Sequence, residues 1–364
     1  MSFVMENVTP LCPVFGECGG CATQNISYEE ELRIKKEKLR EILSPLKLDD
    51  SLFQPIVPSP RPYHYRNRLD IALRRIKSGE IFMGFVNPEK KRTIQITSCA
   101  IAMEAVSDFI PQLRNEAIAR LTSKYRMASL VVKTGDEGKV FWGGIGRKSL
   151  QMNEADYLWT KIDGIKIHYS LDTFFQANLS ILPLLRATIL QWAPWTSSTT
   201  LFDLYGGVGL FTMMFAKKVG RTILIEEHPA SIRLAHYNIS TAQLKNVEVI
   251  EGKVEDHFFS HKTEIETGES HGIIDPPRNG LSEKSRELLS SATFLKSLFY
   301  LSCNPETLRD DLQVFLNKEW RIKTLIPFDF FPKTKHLEVL TLLLPPSTDS
   351  SLLPPPADWQ SNEF

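Results

Sequence analysis

The sequence predicts an α/β protein in two parts, a mainly antiparallel α+β region followed by a largely parallel, doubly wound sheet of seven strands. Two observations predict the second part. From about residue 199 short apolar runs alternate strictly with helical patterns, and such alternation forces parallel strands joined by crossover helices. The first of those runs closes on a glycine-rich turn, Gly206-Gly207-Val208-Gly209, where ligands of doubly wound sheets sit. The first part is predicted by β-type runs separated by hairpin-like turns and interrupted by a single helical stretch.

In chain order, Ser27-Tyr28-Glu29-Glu30 matches a capping box, and the Glu-, Lys- and Leu-rich stretch to about Leu43 reads as a surface helix. Tyr65 to Ile96 carries β-type runs around Lys77-Ser78-Gly79-Glu80, and Leu130 to Gly146 repeats the pattern around Gly135-Asp136-Glu137-Gly138. A helix is expected near Ala105 to Leu121. The strands of the second half are Thr200 to Leu204, Thr222 to Glu226, Val247 to Ile250, Gly272 to Asp275, Leu298 to Ser302, Arg321 to Ile326 and Leu337 to Leu344. Helices are expected at Pro229 to Leu244, with proline near its start, and at Pro305 to Leu316. Beyond Pro345 the chain is rich in Pro and Ser and reads as a disordered tail. The expected division is 1–170, 171–345 and a tail at 346–364.

At 364 residues, 42% hydrophobic and 24% charged, the chain has the composition of a soluble globular protein of two domains. No run approaches the ~20 apolar residues of a membrane span, and no apolar leader precedes the first cysteine, so a cytoplasmic monomer without membrane contact is expected. Net charge is zero, yet Arg61 to Arg92 holds nine basic residues against three acidic ones, interleaved with Tyr63, Tyr65, Phe82 and Phe85. That is the chemistry of an RNA-binding stretch, with phosphate neutralisation plus stacking, or of an ordinary solvated β-surface.

Five cysteines divide into a group and a singleton. Cys12, Cys18 and Cys21 have C-x5-C-x2-C spacing, the Gly19-Gly20 pair lets the loop curl, and Cys99 is the remaining candidate for a fourth ligand. An all-cysteine set favours an iron-sulfur cluster, with a four-cysteine zinc site of equal ligand count as the alternative and disulfides as a third. Cys303, in Ser302-Cys303-Asn304-Pro305, precedes a helix N-terminus whose dipole is expected to depress its thiol pKa, unless it is simply a small buried apolar residue.

Asp203 lies upstream of the glycine turn, and Glu226 ends the next strand, where a carboxylate meets a ribose diol. Leu210, Phe211 and Thr212 follow Gly209, so the turn lacks the third glycine of a dinucleotide site and looks like the turn of methyl-donor enzymes.

Together Cys12, Cys18, Cys21 and Cys99, Phe174-Phe175-Gln176-Ala177-Asn178, Asp203 to Phe211, Asp275-Pro276-Pro277-Arg278, Ser302-Cys303-Asn304-Pro305 and His336-Leu337-Glu338 resemble the RNA 5-methyluridine (uracil-C5) methyltransferase family. The resemblance covers residues 12 to about 344 and is specific to the bacterial 23S rRNA branch that carries a 4Fe-4S cluster. It implies a Rossmann-like S-adenosylmethionine-dependent methyltransferase domain, Cys303 as the nucleophile on carbon 6 of uracil, and Glu338 as the base that removes the carbon 5 proton. It further implies that Gln176, Tyr205, Gly207, Gly209, Glu226 and Asp275 line the cofactor site and that Cys12, Cys18, Cys21 and Cys99 bind the cluster. Departures are Leu210, where relatives often have Asn, and Lys253, where a different polar contact is usual. The chain also starts close to the cysteine loop, where relatives carry a β-barrel, which shifts expected RNA contact to Arg61–Arg92. The same chemistry on tRNA, or a non-catalytic iron-sulfur RNA-binding protein, are the competing functions.

Overall fold

A computed structural model describes residues 8–87, 89–146, 148–260 and 269–348; most of the expected tail lies outside them. Helix α1 (Tyr28–Leu43) begins at Ser27, whose side chain accepts the Glu30 N–H, as the capping-box reading requires. A five-stranded antiparallel sheet follows: β1 (Arg68–Arg75), β2 (Ile81–Asn87), β3 (Arg92–Gln95), β4 (Met127–Thr134) and β5 (Val140–Gly143), in the order β3-β2-β1-β4-β5. Helix α2 (Glu104–Arg120) covers one face. Alternation along β1 buries Leu69, Ile71 and Leu73 against it and turns Arg68, Asp70 and Arg74 outward.

A hairpin of β6 (Leu158–Ile162) and β7 (Ile165–Tyr169) and helix α3 (Leu182–Gln191) lead into the second sheet. That sheet comprises β8 (Thr200–Leu204), β9 (Arg221–Glu226), β10 (Val247–Glu251), β11 (Ser270–Ile274), β12 (Ser297–Ser302), β13 (Arg321–Phe328) and β14 (Glu338–Leu344), in the order β10-β9-β8-β11-β12-β14-β13. Its helices are α4 (Leu210–Phe215), α5 (Pro229–Thr241), α6 (Val254–His257), α7 (Glu283–Ser290) and α8 (Pro305–Asn317). Only β14 runs against the others, pairing antiparallel with both β12 and β13. The segment Gln54–Val57 covers the outer edge of β13, through Gln54 N–H to Leu325 O (2.9 Å) and Val57 N–H to Pro327 O (2.8 Å).

The two apolar cores on the second sheet draw in residues from the first half. The β6–β7 hairpin packs with α3 and α4 on one face, while Leu39 and Leu43 of α1 pack with α7 and α8 on the other. Packing therefore runs across the expected boundary at 170.

A buried ionic strut ties α1 to the β13–β14 connection. Lys35 Nζ lies 2.8 Å from Glu31 and 2.7 Å from Asp329 and donates to Phe331 O. Glu31 also meets Lys333 Nζ at 3.2 Å and accepts the Lys333 N–H at 2.6 Å. The Lys333 carbonyl in turn accepts the N–H groups of Ala22 and Thr23, directly after the cysteine loop. Two lysines and two carboxylates balance, so removing one member strands an opposite charge in the interior. Lys35→Met should lower stability by roughly 3–5 kcal/mol, read from the urea midpoint.

Candidate active site

The glycine turn between β8 and α4 is held from below by Asp203, whose Oδ2 accepts the Thr212 N–H at 2.8 Å and the Thr212 hydroxyl at 2.6 Å. Burial pushes the Asp203 carboxyl up to about 7 against those two bonds. The turn itself is left-handed at Tyr205 (φ 60), Gly207 (φ 57) and Gly209 (φ 87). A tyrosine in that region is strained, which the packed surroundings must sustain; its hydroxyl donates to Ser285 Oγ at 3.0 Å.

Glu226, at the end of β9, accepts the Gly207 N–H through Oε2 (2.9 Å) and the His228 N–H through Oε1 (2.7 Å). The carboxylate is thereby fixed over the turn with lone pairs to spare for a diol.

These groups open on one cavity of about 800 Å3. Gln176, Tyr205, Gly207, Glu226, Asp275, Cys303 and Glu338 all line it. Gly209 does not: it caps α4 and lies against Leu224, Thr212 and Ala235, so its part is to shape the turn. Leu210 is buried in the core, away from the cavity, whereas Lys253 lines it. Sequence reasoning gave no role to Phe174, His228, Pro229, Glu255 or Phe331, which also line it; the loop that follows β9 at the carboxyl edge was the available signal for His228 and Pro229.

Gln176 reaches the site from the loop before α3 and donates from Nε2 to Asp275 Oδ2 at 2.9 Å. Buried Lys133 holds that loop, donating from Nζ to the carbonyls of Ser170 (2.8 Å) and Thr173 (2.6 Å). Phe174, 65% exposed, presents its ring at the cavity wall.

Cys303 and Glu338 are brought together by the reversed strand. Ser302 of β12 pairs with Val339 of β14, so one step further along the register sets Cys303 opposite Glu338. Because β14 runs antiparallel, its first residue arrives at the same edge as the carboxyl ends of the parallel strands. Glu338 is buried, with Oε2 lacking a hydrogen-bond partner among the described residues.

Burial, then the charge of Asp275, raises the Glu338 carboxyl well above the usual range, with Arg278 opposing. Asp275 is itself pushed up to about 7 by burial and then by Asp203. The expectation of a depressed Cys303 thiol is overturned: burial, followed by the negative charges of Glu338 and Asp275, pushes it up to about 11. The helix dipole and Arg278 are outweighed by desolvation beside two carboxylates. The helix start is also already engaged, since Asn304 Oδ1 accepts the Glu306 N–H at 3.1 Å.

The other four cysteines, Cys12, Cys18, Cys21 and Cys99, surround a separate cavity of about 250 Å3 beside the first sheet, lined also by Gln24, Arg66, Asp70, Ser98 and apolar side chains. All are free thiols. Among the described residues no set of three or more His, Cys, Asp or Glu side chains converges as a ready metal-ion site. Burial raises the thiols of Cys18, Cys21 (to about 12) and Cys99, and their mutual repulsion adds to it. Gln24 accepts the Cys12 N–H at 3.0 Å, and its side chain also bonds Cys21, which opposes the rise of that thiol.

The Arg61–Arg92 stretch is only partly available to a partner. Tyr65 is buried with its hydroxyl on Pro332 O (3.0 Å), while Tyr63, Phe82 and Phe85 are half-buried, so one of the four expected stacking groups is interior. Arg75 is spent on the carbonyls of Leu121, Thr122 and Tyr125. Lys77, Lys90 and Lys91 are exposed. Among the described residues no helix is long and apolar enough to cross a membrane.

Comparison with known proteins adds the lineage. The chain is 25% identical over 366 residues to the 23S rRNA (uracil(1939)-C(5))-methyltransferase of Haemophilus parainfluenzae, covering 93% of this chain and 83% of the relative. It is 28% identical over 385 residues to an uncharacterized RNA methyltransferase of Caldanaerobacter subterraneus, covering 91% and 84%. The fold is shared with the Pyrococcus abyssi tRNA (uracil-54, C5)-methyltransferase solved with S-adenosyl-L-homocysteine, at TM-score 0.68 and 19% identity over 89% of this chain and 86% of that one. The family model described as tRNA (Uracil-5-)-methyltransferase matches residues 145–345, more than half of the chain and all of the second sheet; the chain belongs to that family.

Proposed function

We propose that this protein transfers a methyl group from S-adenosylmethionine to carbon 5 of a uridine in 23S rRNA. The observation that carries the reading is the juxtaposition of Cys303 and Glu338 across β12 and β14 on a cavity that also holds the glycine turn and Glu226. The residues suit the donor: Gly207 faces open space where a Cβ would stand, and the Glu226 carboxylate is fixed beside it. Glu226 would hold the ribose hydroxyls, with Gln176, Tyr205 and Asp275 around the donor or the uracil edge.

Carbon 5 of uracil is a weak nucleophile until the ring is activated. The thiolate fraction of Cys303, its proton lost to solvent, adds its Sγ to carbon 6, and the displaced π pair makes carbon 5 enolate-like. The bound donor supplies an electrophilic methyl carbon on a sulfonium, whose sulfur keeps the bond pair. Glu338 then takes the proton from carbon 5, and the returning electrons expel the Cys303 sulfur. The raised Glu338 carboxyl, once ionised, is a stronger base than an ordinary carboxylate. Uridines of folded RNA are stacked, so the base must be flipped into the cavity, where exposed Phe174 offers a stacking face.

The choice of 23S rRNA rests on the naming of relatives such as that of Haemophilus parainfluenzae. Mapping 5-methyluridine in rRNA and tRNA from cells with and without the gene tests it. One uridine of 23S rRNA should lose its methyl group in the deletion strain, and a loss confined to tRNA would overturn the choice.

Cys12, Cys18, Cys21 and Cys99 would hold a 4Fe-4S cluster. Four cysteines lining one cavity match the ligand count of the cluster that the resemblance implies. Cys99 is buried and Cys12, Cys18 and Cys21 are half-buried around that space, with raised thiols at Cys18, Cys21 and Cys99 that a bound cation complex would favour as thiolates. Anaerobically purified protein should be brown, absorb near ~400 nm and release iron and sulfide; zinc in place of iron would refute the cluster.

A further inference from the structure

Cys303 stands between two cavities. Besides the 800 Å3 cavity it lines a second one of about 460 Å3, and the two share only Cys303 and Arg278. The second cavity is walled by α1 on one side and by the approach to β14 on the other, with Lys38 from α1 and Lys335 and His336 from the connection. It contains neither the glycine turn nor a carboxylate positioned for a ribose diol. Its size falls within the range of about 300–1,000 Å3 typical of ligand sites.

The charge of this cleft is positive. Arg278 and Lys335 are exposed and have no ion-pair partner among the described residues. Lys38 makes only an exposed contact with Glu41, 2.9 Å away, of the kind that contributes little. Glu31 is neutralised by Lys35 and Lys333 in the buried strut, which leaves Glu306, exposed at the start of α8, as the opposing charge.

Resting on the reading as an RNA uracil methyltransferase, we propose that this cleft seats the phosphodiester backbone flanking the reacting nucleotide, with Arg278, Lys335 and Lys38 as its phosphate contacts. A base bonded to Cys303 keeps its own ribose and adjoining phosphate within one sugar of that sulfur. The first cavity must also hold the methyl donor, and the cleft is the other space that opens on Cys303. The strand therefore passes between α1 and the start of β14, which makes a helix of the first half a wall of the substrate site.

The test uses the full-length protein and the double variant Lys38→Glu/Lys335→Glu, with Lys38→Arg/Lys335→Arg as the conservative control. Covalent trapping of 5-fluorouridine-substituted 23S rRNA transcript is followed against RNA concentration. The charge-reversed variant should need about tenfold more RNA for half-maximal trapping, and the slope of log affinity against log salt should shrink by about 0.7 for each phosphate that is no longer neutralised. Its maximal trapping rate and its calorimetric affinity for S-adenosylhomocysteine should match wild type, and the Arg variant should recover the loss. An unchanged half-saturating concentration, a loss confined to the maximal rate, or a parallel loss of S-adenosylhomocysteine affinity would each overturn the cleft. Wild type that traps no RNA would instead count against the methyltransferase reading. The cleft is then judged by anisotropy with fluorescein-labelled decauridine, which requires no chemistry: weaker binding by the Glu variant supports it and equal binding overturns it.

Discussion

Cys303→Ala should reduce methyl transfer by about 10⁴-fold or more while RNA affinity stays within a few-fold of wild type. The side chain leaves one small gap at the end of β12 and carries no structural hydrogen bond on which the elbow depends. That elbow is held instead by Asn304, through its Nδ2 to Arg278 O (3.2 Å) and its Oδ1 to Glu306 N–H. Radiolabelled methyl incorporation reads the first effect, filter binding the second, and a denaturing gel shows loss of the 5-fluorouridine adduct. Turnover above about a hundredth of wild type would remove the thiol from the mechanism.

The thiol's environment also sets a pH signature. Held near 11 in the ligand-free protein, Cys303 is almost wholly neutral at pH 7, and its thiolate fraction grows about tenfold per pH unit until pH nears 11. Alkylation of Cys303 by iodoacetamide should follow that slope, without the plateau near pH 8.5 of an ordinary cysteine. A plateau below pH 9 would show that burial and the charges of Glu338 and Asp275 do not raise the thiol.

Glu338→Gln should divide the reaction at its last chemical step. Addition proceeds through the thiolate of Cys303, which can form by proton loss to solvent without Glu338, and methylation needs no base, whereas release does, so turnover should fall about 10³-fold as the methylated RNA remains bound to the protein through Cys303. An SDS-stable complex with ordinary uridine-containing RNA is the expected product, carrying label from the methyl donor. Glutamine keeps the shape of a side chain buried beside β12, so the fold is retained. Turnover within tenfold of wild type, or no labelled complex, would place the base elsewhere.

Much of this site was legible in sequence because its residues sit on short motifs at strand ends. The second sheet could be read from alternation alone, and every expected strand of it exists within a few residues. The β6–β7 hairpin was overlooked although Asp163-Gly164 supplies its turn, with both residues at positive φ (48° and 80°). Tyr65 is interior although the sequence reads as a stacking group there, because it precedes β1 in irregular chain, where no periodicity separates buried from exposed side chains. The thiol of Cys303 was misjudged for a related reason: its position before a helix is local, while the carboxylates that raise it come from β11 and β14. The reversal of β14, which puts Glu338 at the catalytic edge, leaves no mark in the order of elements.

The strut between α1 and the β13–β14 connection joins residues about three hundred positions apart, as in Tyr28–Asp329, Lys35–Asp329 and Lys333–Glu31. During synthesis at about 5–20 residues per second, α1 therefore waits roughly 15–60 s before its partners exist. Throughout that interval Ala22 and Thr23 have no Lys333 carbonyl to close on, and the adjacent cysteine loop stays untethered to the second half. Chain order thus leaves the cysteine loop free until the β13–β14 connection has been made, an interval in which the proposed cluster would have access to it.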